Sequence, residues 1–248
     1  MKLTIRRILN AIKNRWERYK LKRILHLFKN KKGIEIGGPT QFFSDGLPIY
    51  PVVDSLDGCN FKSQTIWEGA IQTGFTYNFG GRKNGFQYIC EASELTEVPS
   101  NHYDFLLASH CLEHCANVLK TVREWQRVVK PGGIILLILP DKQYTFDHKR
   151  QVTTYRHLQD DFDKNIGEKD LTHLEEILSL HDLSRDIQAG DFENFKNRSL
   201  ENFDNRCLHH HVFDFSLLTE IFVGLDIKIL QKKWAPPYHQ IIIGTKND

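Results

Sequence analysis

The sequence predicts an α/β fold built on a mostly parallel sheet, and three observations carry that expectation. From Gly33 onward, short apolar runs alternate with stretches of helical periodicity. One helical stripe is especially clear: Cys115, Val118, Leu119, Val122, Trp125 and Val129, closed by Pro131-Gly132-Gly133. After Pro140 a polar, histidine-bearing stretch of about seventy residues interrupts the alternation, the size of an insertion that builds a lid or an acceptor pocket.

Taken in order, strands are expected near 33–37, 49–53, 86–90, 103–108 and 133–139, with two more near 225–231 and 239–245. The interrupting stretch, about 141–211, reads as helical pieces such as Leu171, Leu174, Ile177 and Leu178. Residues 3–28 also read as helix, because Ile5, Ile8, Leu9, Ile12, Trp16 and Tyr19 follow helical spacing with Arg and Lys between them. The chain therefore divides into a basic amphipathic segment, 1–32, and one domain, 33–248, with its insertion at about 141–211.

Charge separates those parts. The 248 residues carry a net +2, yet 1–32 holds twelve Lys or Arg against Glu17 alone, a net of +11. The remainder holds 21 basic and 30 acidic residues, a net of −9. An acidic body argues against a nucleic-acid partner, which calls for a basic face. The basic segment instead suits an anionic membrane surface or a partner protein. Five scattered cysteines without CxxC pairing read as reduced thiols of a cytoplasmic protein. No apolar run approaches the ~20 residues that span a bilayer.

Four constellations carry chemistry. Ile34-Glu35-Ile36-Gly37-Gly38-Pro39 is a strand ending in an acid and two glycines, where backbone can approach a ligand closely. Asp54 and Asp57 follow the expected second strand, about twenty residues on, where a carboxylate can accept both hydroxyls of a ribose. Tyr88-Ile89-Cys90-Glu91-Ala92 ends another strand in an acid and a small residue, a pair that can flank a flat base. The run Tyr103-Asp104-Phe105-Leu106-Leu107-Ala108-Ser109-His110-Cys111-Leu112-Glu113-His114, then Arg127-Val128-Val129-Lys130-Pro131-Gly132-Gly133, fixes their order and spacing.

That last run closely resembles the class I S-adenosylmethionine (SAM)-dependent methyltransferases, of the methyltransferase type 11 kind. Residues 33–140 match the pattern well and 213–245 more loosely; 141–210 resemble a bacterial subgroup tied to surface glycans or secondary metabolites. The resemblance implies a Rossmann-like sheet with an antiparallel last strand and S-adenosyl-L-methionine as cofactor. It further implies that Glu35, Gly37 and Gly38 bracket the methionine end. Asp57, or else Asp54, takes the ribose hydroxyls; Glu91 and Ala92 border the adenine; Ser109 and His110 line the pocket floor. The chain departs from the family at Pro39 and Gln41, which stand where further glycines are usual, and Pro39 would open only a short helix before Gly46.

Methyl transfer to a hydroxyl calls for a base, and histidine suits that role near neutral pH. His110, His148 and His211 are the candidates, with Tyr144, Asp147 and Arg150 as acceptor-binding or orienting groups. The expected function is O-methylation of a sugar or other small polar acceptor. A non-catalytic subunit of the same fold and an RNA methyltransferase are the competing readings. His110-Cys111-Leu112-Glu113-His114 also matches the H-x-x-E-H zinc peptidase pattern, but at a strand end rather than within a helix, so no metal is expected. His209-His210-His211 reads as a polar turn whose adjacent side chains point apart. If the basic segment binds membranes, each Lys or Arg near anionic lipid contributes about 1 kcal/mol. Deleting 1–28 should then abolish sedimentation with anionic vesicles and leave SAM affinity intact; no vesicle binding by the full chain would favour packing or a partner protein.

Overall fold

A computed structural model of the chain describes residues 23–81 and 85–247. The helix read over 3–28 therefore lies largely outside the described residues. Its last part is a 3-10 turn, Leu25–Leu27, flanked by buried Ile24 and Phe28. Phe28 meets Phe105 edge to face at 5.2 Å between ring centres, so this end of the segment packs on the sheet. No described helix is long and apolar enough to cross a membrane.

Among the described residues the sheet has eight strands. Five run parallel: β1 (Lys32–Ile36), β2 (Ser55–Asn60), β6 (Gly85–Ile89), β7 (Tyr103–Ser109) and β8 (Val129–Pro140). A two-stranded hairpin, β3 (Gln64–Thr65) with β4 (Gly69–Ala70), stands apart from it. On one edge β5 (Gly74–Tyr77) joins β6 antiparallel; on the other, β10 (His239–Lys246) lies antiparallel between β8 and β9 (Ile227–Ala235). The order β5-β6-β2-β1-β7-β8-β10-β9 makes the chain reverse its direction of growth between β1 and β7. A crevice opens at the carboxyl ends of the strands there, the position at which such sheets bind ligands.

Both faces are covered. On one, helix α1 (Val118–Val128) buries Val118, Leu119, Val122, Trp125 and Val128. The Asn117 side chain caps its start by accepting from the Lys120 N–H. The Trp125 indole donates to the Ala92 carbonyl, 2.9 Å away, which fixes the loop after β6. On the other face there is no long helix among the described residues. Irregular chain on either side of β1, within 24–53, fills that layer with Phe28, Phe43, Leu47, Ile49 and Tyr50. Two expectations are corrected here. The strand expected at 49–53 is a buried turn, because Pro51 has no N–H for a ladder and the apolar side chains pack under the sheet instead. The helix after Pro39 is one 3-10 turn, Gln41–Phe43.

The insertion is helical as expected: α2 (Tyr155–Asp163), α3 (Leu174–Leu180), α4 (Phe192–Leu200) and α5 (Asn202–Asn205), with a small core of Ile177, Ala189, Phe195 and Leu208. Helix α6 (Phe215–Gly224) then returns the chain to the sheet. Because Phe28 is fully buried against Phe105, Phe28→Ala should destabilise the fold by about 3–5 kcal/mol. Urea unfolding should show a lower midpoint at unchanged slope; an unshifted midpoint would mean that 24–28 is not part of the cooperative core.

Candidate active site

The loop after β1 is organised by Glu35, which is completely buried. The Tyr50 hydroxyl donates to its Oε2 at 2.6 Å and the Tyr77 hydroxyl to the same oxygen at 2.7 Å. The Thr40 N–H donates to Oε1 at 3.0 Å. Tyr77 reaches the carboxylate only because Gly58 on β2 has no side chain; a Cβ there would stand 2.1 Å from the tyrosine ring. Gly38 is glycine for the same reason, since its Cβ would lie 2.3 Å from the Glu35 carboxyl carbon. Burial pushes the Glu35 pKa up to about 7, against the lowering effect of its three donors.

In front of this cluster lies a cavity of about 290 Å³. Ile36, Gly37, Pro39 and Thr40 line one side; Cys59, Asn60 and Phe61 follow from β2; Cys90, Glu91 and Ala92 from β6; Ser109, His110 and Cys111 from β7. Gly37 has φ +74 and would carry its Cβ 3.3 Å from the Cys111 sulfur, so glycine keeps this turn open. Trp67, between β3 and β4, stands over the opening with its ring 5.6 Å from that of His114. Arg206 closes the far side, paired with Glu91 and lying 5.1 Å from the Phe61 ring centre. A second cavity of about 570 Å³ lies between the 40–46 loop and the 235–239 turn. Thr40, Ser109 and His110 line both cavities.

His110 stands at that junction with φ +51. Its Nε2 is 2.9 Å from His239 Nδ1, and its Nδ1 is 3.4 Å from Glu113 Oε1. Both Glu113 oxygens are buried without a hydrogen-bond partner among the described residues. Burial would raise the Glu113 pKa, but the facing histidines hold it below the ordinary value. Burial and His110 together push His239 down to about 4.

Gly37, Glu91, Ala92, Ser109 and His110 thus share one cavity, as the sequence leads one to expect, and several other expected residues do not. Glu35 and Gly38 stand behind the loop, with both acid oxygens taken by protein donors. Asp57 is at the wrong end of its strand. Its carboxylate accepts from the Tyr103 hydroxyl at 2.7 Å and the Phe86 N–H at 2.8 Å. It lies three residues, about 10 Å of strand, before the cavity residue Asn60. Asp54 precedes β2 and is exposed. The position at the carboxyl end of β2 belongs to Asn60, which was hidden because the Asp57-Gly58 pair breaks the strand's apolar pattern. His239 was missed too; its place at the start of the last strand, opposite Pro140, was the available signal.

Among the other expected catalytic residues, His148 Nε2 pairs with Asp182 at 2.8 Å, outside both cavities. His211 is 1% exposed and turns Nε2 to the Ala116 carbonyl at 3.1 Å, so no acceptor can reach it. Asp147 and Arg150 are likewise interior. Arg150 donates to Asp147, to Glu176 and to the carbonyls of His209 and His210. Burial would raise the Asp147 pKa, but His209 and Arg150 hold it down to about 2. Tyr144 is exposed beside Trp234. The three adjacent histidines do point apart, to Asp147, Asn202 and Ala116 in turn.

The cavity suits an adenosine-type ligand. Its walls are small and apolar, with Cys59, Cys90, Ala92 and Cys111 for a flat ring, and Asn60, Glu68 and Glu91 supply polar groups. Ser109 Oγ is buried there without a partner of its own. Residues 65–137 match the family described as a methyltransferase domain. Over 125 residues, 47% of the chain, it is 30% identical to the fusarin C synthetases of Gibberella fujikuroi and Gibberella moniliformis, and it spans 3% of their length. The structure resembles a SAM-dependent methyltransferase from Mesorhizobium loti, with TM-score 0.53 and 10% identity over 92% of this chain and 96% of that one. A SAM-dependent methyltransferase from Aquifex aeolicus gives 0.51 and 13%, over 92% and 88%.

The Glu35 cluster has a measurable consequence. An unfolded chain titrates this acid near 4.5 and the folded one near 7. Its protonation therefore favours the folded state, fully below 4.5 and no longer once the pH has risen through 7. Across that window wild type should lose about 3 kcal/mol relative to Glu35→Gln, whose side chain is always neutral. Parallel stability–pH curves for the two proteins, from urea unfolding, would show that the buried acid does not titrate there.

Proposed function

We propose that this chain, which carries a class I methyltransferase domain with S-adenosyl-L-methionine as its cofactor, methylates a hydroxyl on a small, sugar-like acceptor. The observation that carries the reading is His110, which stands where the two cavities meet with a carboxylate on one ring nitrogen and a second imidazole on the other. SAM, held in the smaller cavity, supplies an electrophilic methyl group on a sulfonium. Asn60, at the carboxyl end of β2, takes the ribose hydroxyls in place of Asp57. Cys90 and Ala92 flank the adenine, and Gly37 leaves room for the methionine end.

The acceptor occupies the larger cavity, where Gln41 and Asp45 offer hydrogen bonds and Phe42 and Tyr238 offer apolar faces. Such a mixture suits a ring with hydroxyl groups on its edge. The chain's remaining task is to align the acceptor oxygen and to take its proton. The His110–His239 pair accepts that proton, and the charge rests on His110. Glu113 Oε1 faces the Nδ1 of His110 at 3.4 Å, whereas burial and the facing His110 push His239 down to about 4, too low to hold the proton itself. The insertion closes the cofactor side through Arg206 and Glu168 and contributes no residue to the larger cavity.

The experiment combines calorimetry with turnover on a panel of sugar hydroxyl acceptors. S-adenosylhomocysteine should bind wild type and bind Asn60→Ala more weakly. His110→Ala should keep that affinity yet lose about 10²–10⁴-fold in kcat, while His148→Ala turns over near the wild-type rate. Failure of folded wild type to bind S-adenosylhomocysteine would overturn the cofactor reading. A large kcat loss in His148→Ala with wild-type turnover in His110→Ala would move the acceptor site into the insertion.

A further inference from the structure

Behind the cofactor cavity, four side chains from three separate segments converge: His157 and Asp161 on α2, His173 just before α3, and His211 on the strap that leads back to the sheet. One donor atom of each lies within 4.8 Å of one donor atom of every other. His157 and Asp161 are four residues apart on one helical face. His157 Nε2 is 3.0 Å from His173 Nε2 and 3.2 Å from Asp161 Oδ2, and His211 Nε2 is 3.7 Å from the same oxygen.

These groups do not satisfy one another. Asp161 Oδ2 and His211 Nδ1 are buried without a hydrogen-bond partner among the described residues, and His211 is 1% exposed. A single proton on His157 Nε2 cannot serve both the carboxylate and the facing imidazole. Buried acceptors left without donors, as at Asp161 Oδ2 and His211 Nδ1, are costly, and a cation among these groups removes that cost. With metal–ligand bonds of about 2.0–2.2 Å, a tetrahedron has edges of about 3.3–3.6 Å, and the separations of 3.0 Å between His157 and His173 and 3.2 Å between His157 and Asp161 lie close to that range.

Outer contacts have the form expected of ligating histidines. The Ala116 carbonyl accepts from His211 Nε2, which leaves the Nδ1 lone pair free, and Glu176 lies 3.8 Å from His173 Nδ1. We propose that His157, Asp161, His173 and His211 form a structural zinc site that ties the helices of the insertion to the strap that returns the chain to the sheet. Three imidazoles and one carboxylate are a borderline donor set suited to Zn²⁺ rather than to Ca²⁺ or Mg²⁺. Four protein ligands leave no open position, so the ion holds structure and takes no part in the reaction. The clamp acts next to the cavity: Ala116 adjoins the cavity residue Cys115, and its N–H is held by Glu168, another cavity residue, at 3.1 Å.

The full chain, stripped with chelator, should bind one equivalent of Zn²⁺ in calorimetry and gain thermal stability. Co²⁺ in its place should give the intense visible bands of tetrahedral coordination. His173→Ala should weaken binding by more than the 10–100-fold typical of losing an outer partner. Should that variant fail to fold, near-isosteric Asp161→Asn, its fold checked by circular dichroism, should show the same loss. His114→Ala probes the other candidate cluster, Glu113, His114 and His209, and should leave Zn²⁺ affinity unchanged. No Zn²⁺ binding by folded wild type, an octahedral Co²⁺ spectrum, or binding that survives Asp161→Asn but is lost in His114→Ala would each overturn the proposal.

Discussion

The buried carboxylate of Glu35 is the constraint on which the site depends. An acid in an apolar interior must find donors or a proton, and here three donors come from three separate places: Tyr50 in the irregular layer, Tyr77 on the edge strand β5, and the backbone of Thr40. Meeting that requirement draws the first loop, the far edge of the sheet and the layer beneath it to one point. Gly58 and Gly38 follow as necessities of that close approach. Thr40, fixed by the acid from behind, is left at the wall between the two cavities. The acid that was expected to touch a ligand instead builds the backbone around it.

A second buried acid shows how partners decide the electrostatics. Asp147 is as interior as Glu35, yet its pKa moves the other way, because it faces the cations Arg150 and His209 rather than neutral hydroxyls. Arg150 ties Asp147 and Glu176 to the carbonyls of His209 and His210, so the polar richness of this stretch holds the insertion against the strap. Glu113 is a third case. It has no hydrogen-bond partner among the described residues, yet the facing histidines hold its pKa below the ordinary value.

The fold was legible in the sequence because its signals are local. Parallel strands buried on both faces read as apolar runs, the α1 stripe repeats at helical spacing, and Pro131-Gly132-Gly133 marks the turn into β8. Where the signal failed, tertiary packing had overridden the pattern. The apolar residues of 49–53 are buried by the layer beneath the sheet rather than by strand pairing. The true second strand carries Asp57 and Gly58, because Tyr103 satisfies the one and Tyr77 covers the other.

By itself the sequence determined that the sheet is mostly parallel, where β1, β6, β7 and β8 lie, and the helical nature of the insertion, since each depends on residues adjacent in the chain. Only the tertiary structure decided which polar groups face a cavity. Whether an acid meets a tyrosine or a histidine depends on residues 42 to 62 positions away, as with Glu35 and Tyr77 or Asp147 and His209. The junction of His110 with His239 spans 129 positions and closes only when β10 pairs with β8. A periodic pattern states which face of an element is buried; it carries no information about what buries it.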